Sequence, residues 1–241
     1  MAMPALVLVH GGGYAGDCWD PTVAAVRRLE PQLATLAVDL PGRRGKPAAS
    51  FPGWVESVVA DIDAAGYDDV VIVGHSMAGL TVPEVVATLG PTRVREMILA
   101  TAFVPPQGMS ILDALTGPFV PVARYGARSD GPSTTPKLMV RLAFANGMSS
   151  AQRKFAYDKL CAESARIVTE PVTRRGIPEG IPRTWIMALR DRSLSPRKQY
   201  EFIQTLGGVD NVIPIDTCHM LMISEPELLA QILVQRCRQY T

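Results

Sequence analysis

Ser76 lies in Gly74-His75-Ser76-Met77-Ala78-Gly79, between the apolar run Val70–Val73 and a segment with helical periodicity. A serine in Gly-x-Ser-x-Gly at a strand-to-helix turn is the arrangement of a nucleophile on a strained elbow. Here the fifth position is Ala78 and the glycine comes one residue later, at Gly79. Packing at such a turn demands small residues two before and two after the serine, because the strand and helix backbones nearly touch. Gly74 meets the stricter demand, and Ala78 adds one methyl at the other.

A nucleophilic serine needs a base, and the chain has three histidines. His10 sits in a glycine loop and His75 inside the elbow itself, which leaves His219, in Asp216-Thr217-Cys218-His219-Met220. The base in turn needs a carboxylate to fix its tautomer and stabilise the imidazolium. Asp191 comes after an apolar run at the position expected of that carboxylate. Asp216 competes by nearness in sequence, but residues so close along a chain seldom present their side chains to each other. For an oxyanion, the backbone amides of Gly12 and Met77 are the candidate donors. Gly11-x-Gly13-x-x-Gly16, with Asp39 ending the next strand, also matches a nicotinamide-dinucleotide fingerprint. That alternative requires a helix opening on the glycines, whereas Asp20-Pro21 starts the helix several residues later.

These residues have to be placed by an α/β scaffold. Apolar runs at Ala5–Val9, Leu33–Val38, Val70–Val73, Met97–Thr101, Thr184–Ala188 and Val212–Ile215 read as about six mostly parallel strands. Helices are predicted near Pro21–Leu29, Trp54–Ala65, Met77–Leu89, Pro196–Leu206 and Glu225–Arg238, with Asp20, Ser195 and Ser224 as capping side chains. The alternation stops across Pro105–Pro182, which carries proline- and glycine-rich turns around helices near Pro136–Phe144 and Ser150–Cys161. This divides the chain into a core, 1–104 with 183–241, and a cap insertion, 105–182.

Composition excludes other classes. The formal net charge of +1 arises from 24 basic and 23 acidic residues without a basic cluster, so neither nucleic acid nor an anionic membrane is an expected partner. No apolar stretch reaches signal-peptide or membrane-spanning length. Four cysteines without a C-x-x-C pair fit a reducing cytoplasm and suggest neither a zinc site nor a disulfide framework. A monomer or homodimer is expected, with no metal or organic cofactor.

Taken together, His10-Gly11, Asp39-Leu40-Pro41-Gly42, the Gly74–Gly79 elbow, Asp191 with Pro196 and Gln199, and His219-Met220 before Ser224-Glu225-Pro226 resemble the α/β-hydrolase superfamily. Within it, they resemble the branch of hydroxynitrile lyases and plant-type methylesterases. The chain order Ser76, Asp191, His219 is that superfamily's order. The resemblance implies an α/β-hydrolase fold with a helical cap and a Ser-His-Asp acyl-enzyme mechanism. Lyases of the branch carry a threonine directly after the loop histidine and a lysine after the catalytic histidine. Gly11 and Met220 stand at those positions, which favours a carboxylesterase. Lyase-like or cofactor-free dioxygenase chemistry is the alternative on the same fold. A small to medium, apolar or aromatic ester is the expected substrate, contacted by His10, Gly11, Phe103, Phe119, Tyr125, Phe144 and Met220.

Overall fold

The computed structural model describes residues 3–115, 120–128, 131–164 and 166–241. Six strands, β1 (Ala5–Val9), β2 (Thr35–Val38), β3 (Val70–His75), β4 (Val94–Ala100), β5 (Arg183–Ala188) and β6 (Asn211–Ile215), form one sheet in the order β2-β1-β3-β4-β5-β6. Every pairing is parallel. Burial explains why β1 and the first four residues of β3 are uninterrupted apolar runs. In β3, Val70 and Ile72 pack into one layer while Val71 and Val73 pack into the other, so no face is left for polar residues.

Helices α1 (Asp20–Leu29), α2 (Phe51–Ala64) and α3 (Ala78–Leu89) make the first crossovers. The excursion between β4 and β5 holds α4 (Ile111–Ala114), α5 (Val120–Gly126), α6 (Lys137–Met139) running into a π-turn at Val140–Phe144, α7 (Ser150–Asp158) and α8 (Arg166–Thr169). The crossover helix α9 (Pro196–Thr205), the short α10 (Leu221–Ser224) and α11 (Pro226–Arg238) complete the chain. Residues of α2, α3 and α9 bury one face of the sheet, and those of α1 and α11 bury the other. Among the described residues no helix is long and apolar enough to cross a membrane.

Of the three helix starts with an expected side-chain cap, one has it. Ser195 accepts from the Lys198 amide at the start of α9, whereas α1 and α11 begin at Trp19 and Glu225 with no side-chain cap. The Ser224 hydroxyl instead pairs with the Thr217 hydroxyl at 2.6 Å, bracing the turn that carries His219. The sequence does not announce α4, α5, α8 or α10, because each is too short for its periodicity to register.

Strand order reverses between β1 and β3, and this is where a crevice opens above the carboxyl ends of a parallel sheet. The loops after β1, β3, β4, β5 and β6 carry Gly11–Gly13, Ser76, Thr101–Phe103, Asp191 and His219 respectively, so the fold gathers them at one edge.

Candidate active site

Ser76 comes directly after β3 and has φ of 54°, a left-handed conformation that a side-chain-bearing residue adopts only under local constraint. Its amide donates to the Ala100 carbonyl at 3.2 Å, and its carbonyl accepts from Gly79 at 3.0 Å and Phe103 at 2.8 Å. A Cβ on Gly74 would stand 2.8 Å from Val82 Cγ2. One on Gly79 would run into the Phe103 carbonyl oxygen. The late glycine is therefore required: the chain leaving β4 crosses the elbow at position 79, while the Ala78 methyl is simply buried.

The Ser76 hydroxyl lies 2.9 Å from His219 Nε2, and His219 Nδ1 lies 2.6 Å from Asp191 Oδ2. All three residues are buried. With its Nδ1–H donated to the carboxylate, His219 presents Nε2 as the acceptor for the serine proton. Asp191 is fixed by its second oxygen, which accepts from the Ser193 and Leu194 amides, each at 2.8 Å. Beneath that loop, the Gln199 amide donates to the Ala188 and Leu194 carbonyls at 3.0 and 2.9 Å and accepts from the Trp185 indole at 3.1 Å. Asp216 points elsewhere: its side chain is 74% exposed and pairs with Arg190 at 2.9 Å.

His75 has a use that its place in the elbow conceals. Its Nε2–H donates to the His219 carbonyl at 2.9 Å, and the Thr101 hydroxyl donates to the same oxygen at 3.3 Å. Full burial holds the His75 pKa well below the usual histidine range, with the neighbouring His219 acting in the same direction. The ring is neutral and fixed as the Nε2–H tautomer.

The glycine loop after β1 departs from expectation in two residues. His10 is wholly buried and does not line the cavity: its Nδ1–H donates to the Gly11 carbonyl at 2.8 Å, and its Nε2 accepts from the Leu40 amide at 3.2 Å. His10 thus ties two loops together, and burial lowers its pKa to about 4. Gly11 is likewise absent from the cavity wall, because its Cα faces the serine, where a Cβ would come within 2.7 Å of Ser76 Cβ. Gly12 abuts Met77, and both line the cavity. The residues that imitate a dinucleotide fingerprint are spent on the loop itself. Asp39 accepts from the Gly16 amide at 2.8 Å, and a Cβ on Gly16 would strike the Ala37 and Val38 carbonyls of β2 at 2.9 Å.

Glu163 carries no signal in the sequence, yet it closes the same loop from above. Its Oε2 accepts from the Gly13 amide at 3.2 Å and from the buried Arg43 guanidinium, whose Nε donates to the Tyr14 carbonyl at 2.8 Å. An antiparallel bridge to Ser133 and a 2.8 Å bond from the Cys161 amide to the Gly13 carbonyl complete this knot.

A cavity of about 500 Å³ opens over Ser76 and His219. Its lining draws Phe103, Ile111, Leu115 and Ile167 from one packed cluster and Val140, Phe144 and Met220 from the other. The Phe144 ring centre lies 5.3 Å from that of His219, and the Phe103 ring centre 6.2 Å. Met139, Val140, Ala143 and Phe144, spaced as one helical face, all reach the lining, and the segment closes in a π-turn marked by the bond from the Ala145 amide to the Val140 carbonyl at 2.8 Å. Of the expected contacts, Phe103, Tyr125, Phe144 and Met220 border the cavity, with Tyr125 77% exposed at its rim. Phe119 lies outside the described residues.

This fold and site define a class. A sequence model of the Alpha/beta hydrolase family matches residues 6–232, and the chain belongs to that family. It is similar to the carbendazim hydrolyzing esterase of Nocardioides sp. (strain SG-4G), 31% identical over 116 residues, a match that spans 47% of this chain and 48% of that enzyme. The alpha/beta hydrolase nvfD of Aspergillus novofumigatus is 24% identical over 246 residues, covering 97% of this chain and 96% of the fungal one. Among solved structures, an extracellular alpha/beta-hydrolase from a Paenibacillus species superposes with a TM-score of 0.83 at 22% identity, over 97% of this chain and 98% of that one. That protein is described as sharing structural and functional homology with tobacco salicylic acid binding protein 2. The likeness extends the shared fold over nearly the full chain.

Proposed function

We propose that the protein is a carboxylesterase in which Ser76 is the nucleophile, His219 the general acid and base, and Asp191 the carboxylate that orients His219. The observation that carries this reading is the continuous relay of 2.9 and 2.6 Å hydrogen bonds beneath a largely apolar cavity. Ser76 Oγ attacks the ester carbonyl as its proton passes to His219 Nε2. The tetrahedral oxyanion is received by the Gly12 and Met77 amides, and His219 returns the proton to the departing alcohol oxygen. Water deprotonated by His219 then attacks the acyl-serine, and the acid leaves with Ser76 restored. Asp191 stays ionised throughout and stabilises the imidazolium at each step.

Residues 105–182 act as a cap in this reading, and its helices and loops together supply most of the residues that line the cavity. A cavity of this size suits a small to medium apolar or aromatic ester. Position 11 argues against the lyase alternative, since a threonine side chain there would overlap Ser76 at 2.7 Å. The proposed setting is cytoplasmic, with small-molecule substrates only.

The test is hydrolysis of p-nitrophenyl esters of increasing acyl length by the parent and by Ser76→Ala. The substitution is expected to lower kcat by about three orders of magnitude or more. Equal rates in the two proteins overturn the assignment. Oxygen uptake with a hydroxyquinolone, or cyanide release from mandelonitrile, in the absence of ester hydrolysis would transfer the same triad to the dioxygenase or lyase reading.

A further inference from the structure

The end of the π-turn touches both loops that carry the proposed acid–base pair. The Phe144 carbonyl accepts from the amide of Met220, the residue after His219, at 3.3 Å. Two residues on, the Asn146 side-chain amide donates to the carbonyl of Arg190, the residue before Asp191, at 2.9 Å. Between them, the π-type bond of Ala145 fixes the spacing of the two contacts, and the Phe144 ring lies against His219.

We propose that Phe144–Asn146 is a clasp from the cap onto the triad, and that Asn146 is a positioning residue for the Asp191–His219 pair. The inference rests on the triad reading above and extends it: the cap aligns the catalytic groups as well as enclosing the substrate. The Asp191 loop is otherwise held from the sheet side. Gln199 binds its ends, the Leu189 amide donates to Ile215, and the Arg190 amide donates to Thr217. Among the described residues, Asn146 supplies the hydrogen bond from the cap to this loop. Asn146 does not line the cavity, so it reaches the reaction only through the placement of Asp191. The orientation of its amide is set by its partner, because a carbonyl oxygen can be met only by the NH2 group. Small displacements at a 2.6 Å bond matter, since catalytic groups misplaced by about 1 Å cost on the order of 100-fold in rate.

The experiment measures two quantities in the parent, Asn146→Ala and Asn146→Asp: the rate at which a fluorophosphonate probe labels Ser76, and kcat and KM for a p-nitrophenyl ester. Asn146→Asp keeps the side-chain shape while removing the donor. Both variants are expected to lose about 5- to 20-fold in labelling rate and in kcat, with KM within about twofold of the parent. A purely structural role would lower the melting temperature and leave the labelling rate of the folded protein unchanged. Labelling of both folded variants at the parental rate overturns the clasp and leaves the triad standing. A parent chain that resists the probe and hydrolyses no ester overturns the triad, and the clasp with it. If Asn146→Asp does not fold, Asn146→Ala alone decides.

Discussion

His75 Nε2 and the carbonyl oxygen of His219 are 2.9 Å apart, so a residue of the Ser76 elbow carries the backbone of the proposed base. Thr101, itself held at φ of 43°, donates to the same oxygen. The end of β3 and the loop after β4 thus share one anchor on the loop after β6. Serine and histidine are registered against each other through their main chains as well as through their side chains.

His75→Phe removes the stronger of these anchors and leaves Thr101 alone on the carbonyl. It is expected to destabilise the fold by about 1–2 kcal/mol, the worth of one buried hydrogen bond, and to lower kcat about 10-fold. Denaturant titration and steady-state kinetics check the two parts. An unchanged kcat in a destabilised protein would reduce His75 to a packing residue.

Two buried neutral histidines also set the acid limit of the fold. Burial depresses the pKa of His10 to about 4 and that of His75 well below its ordinary value, so both take up protons more readily when unfolded. Their stabilising contribution is complete above the unfolded histidine value of about 6.5 and is lost progressively as pH falls towards the folded one. His10 alone is expected to cost about 1.5 kcal/mol between pH 6.5 and 5. Denaturant midpoints at pH 7 and pH 5 measure this, and coincident midpoints would contradict it.

Adjacent glycines differ in what they tolerate. Gly11→Ala forces a methyl to 2.7 Å from Ser76 Cβ, with no flexible group to yield. Gly12→Ala meets the far end of Met77, whose Sδ overlaps the added carbon but can swing aside. The expected outcome is a drop in kcat/KM of about 100-fold or more for the first variant and about 10-fold or less for the second. For Gly12→Ala the loss should fall mainly on KM, because the displaced thioether enters the cavity. Equal losses would indicate that the loop backbone, and not the side-chain space, controls both positions.

Glu163→Gln leaves the buried Arg43 guanidinium without its counter-charge. Removing one partner of such a pair is expected to cost about 3 kcal/mol, read as a lower denaturant midpoint. Arg43→Lys should not be conservative, since Arg43 also donates through Nε to the Tyr14 carbonyl, a second contact in a direction an ammonium cannot supply. A midpoint unchanged in both variants would show that the knot adds nothing to stability.

The residues proposed for chemistry are legible in sequence because each comes after an apolar strand of a parallel sheet, and such a sheet delivers the residues beyond its strand ends to one edge. Asp191 can be preferred over Asp216 by position alone, and the 2.6 Å bond to His219 agrees with that preference. His10 and Gly11, expected as substrate contacts, do not line the cavity for a physical reason. Nearness to the site in sequence does not say which way a loop residue turns, and these two face inward. Glu163, Asn146 and Thr101 give no signal, since each acts through a partner more than 40 positions away. The short helices α4, α5 and α8 between β4 and β5 are invisible for a related reason: tertiary packing, not intrinsic periodicity, defines them.

Gly79 reports on a different segment from the one it belongs to. The close approach of the Phe103 carbonyl means that its lack of a side chain is dictated by the path of the chain leaving β4. The glycine three residues after Ser76 is therefore a record of where the exit from β4 passes overhead. In a related chain with the same serine, a bulky residue at this position would signal that the exit from the fourth strand, and the segment that follows it, takes another route. A motif of six residues thus carries information about architecture some twenty residues downstream.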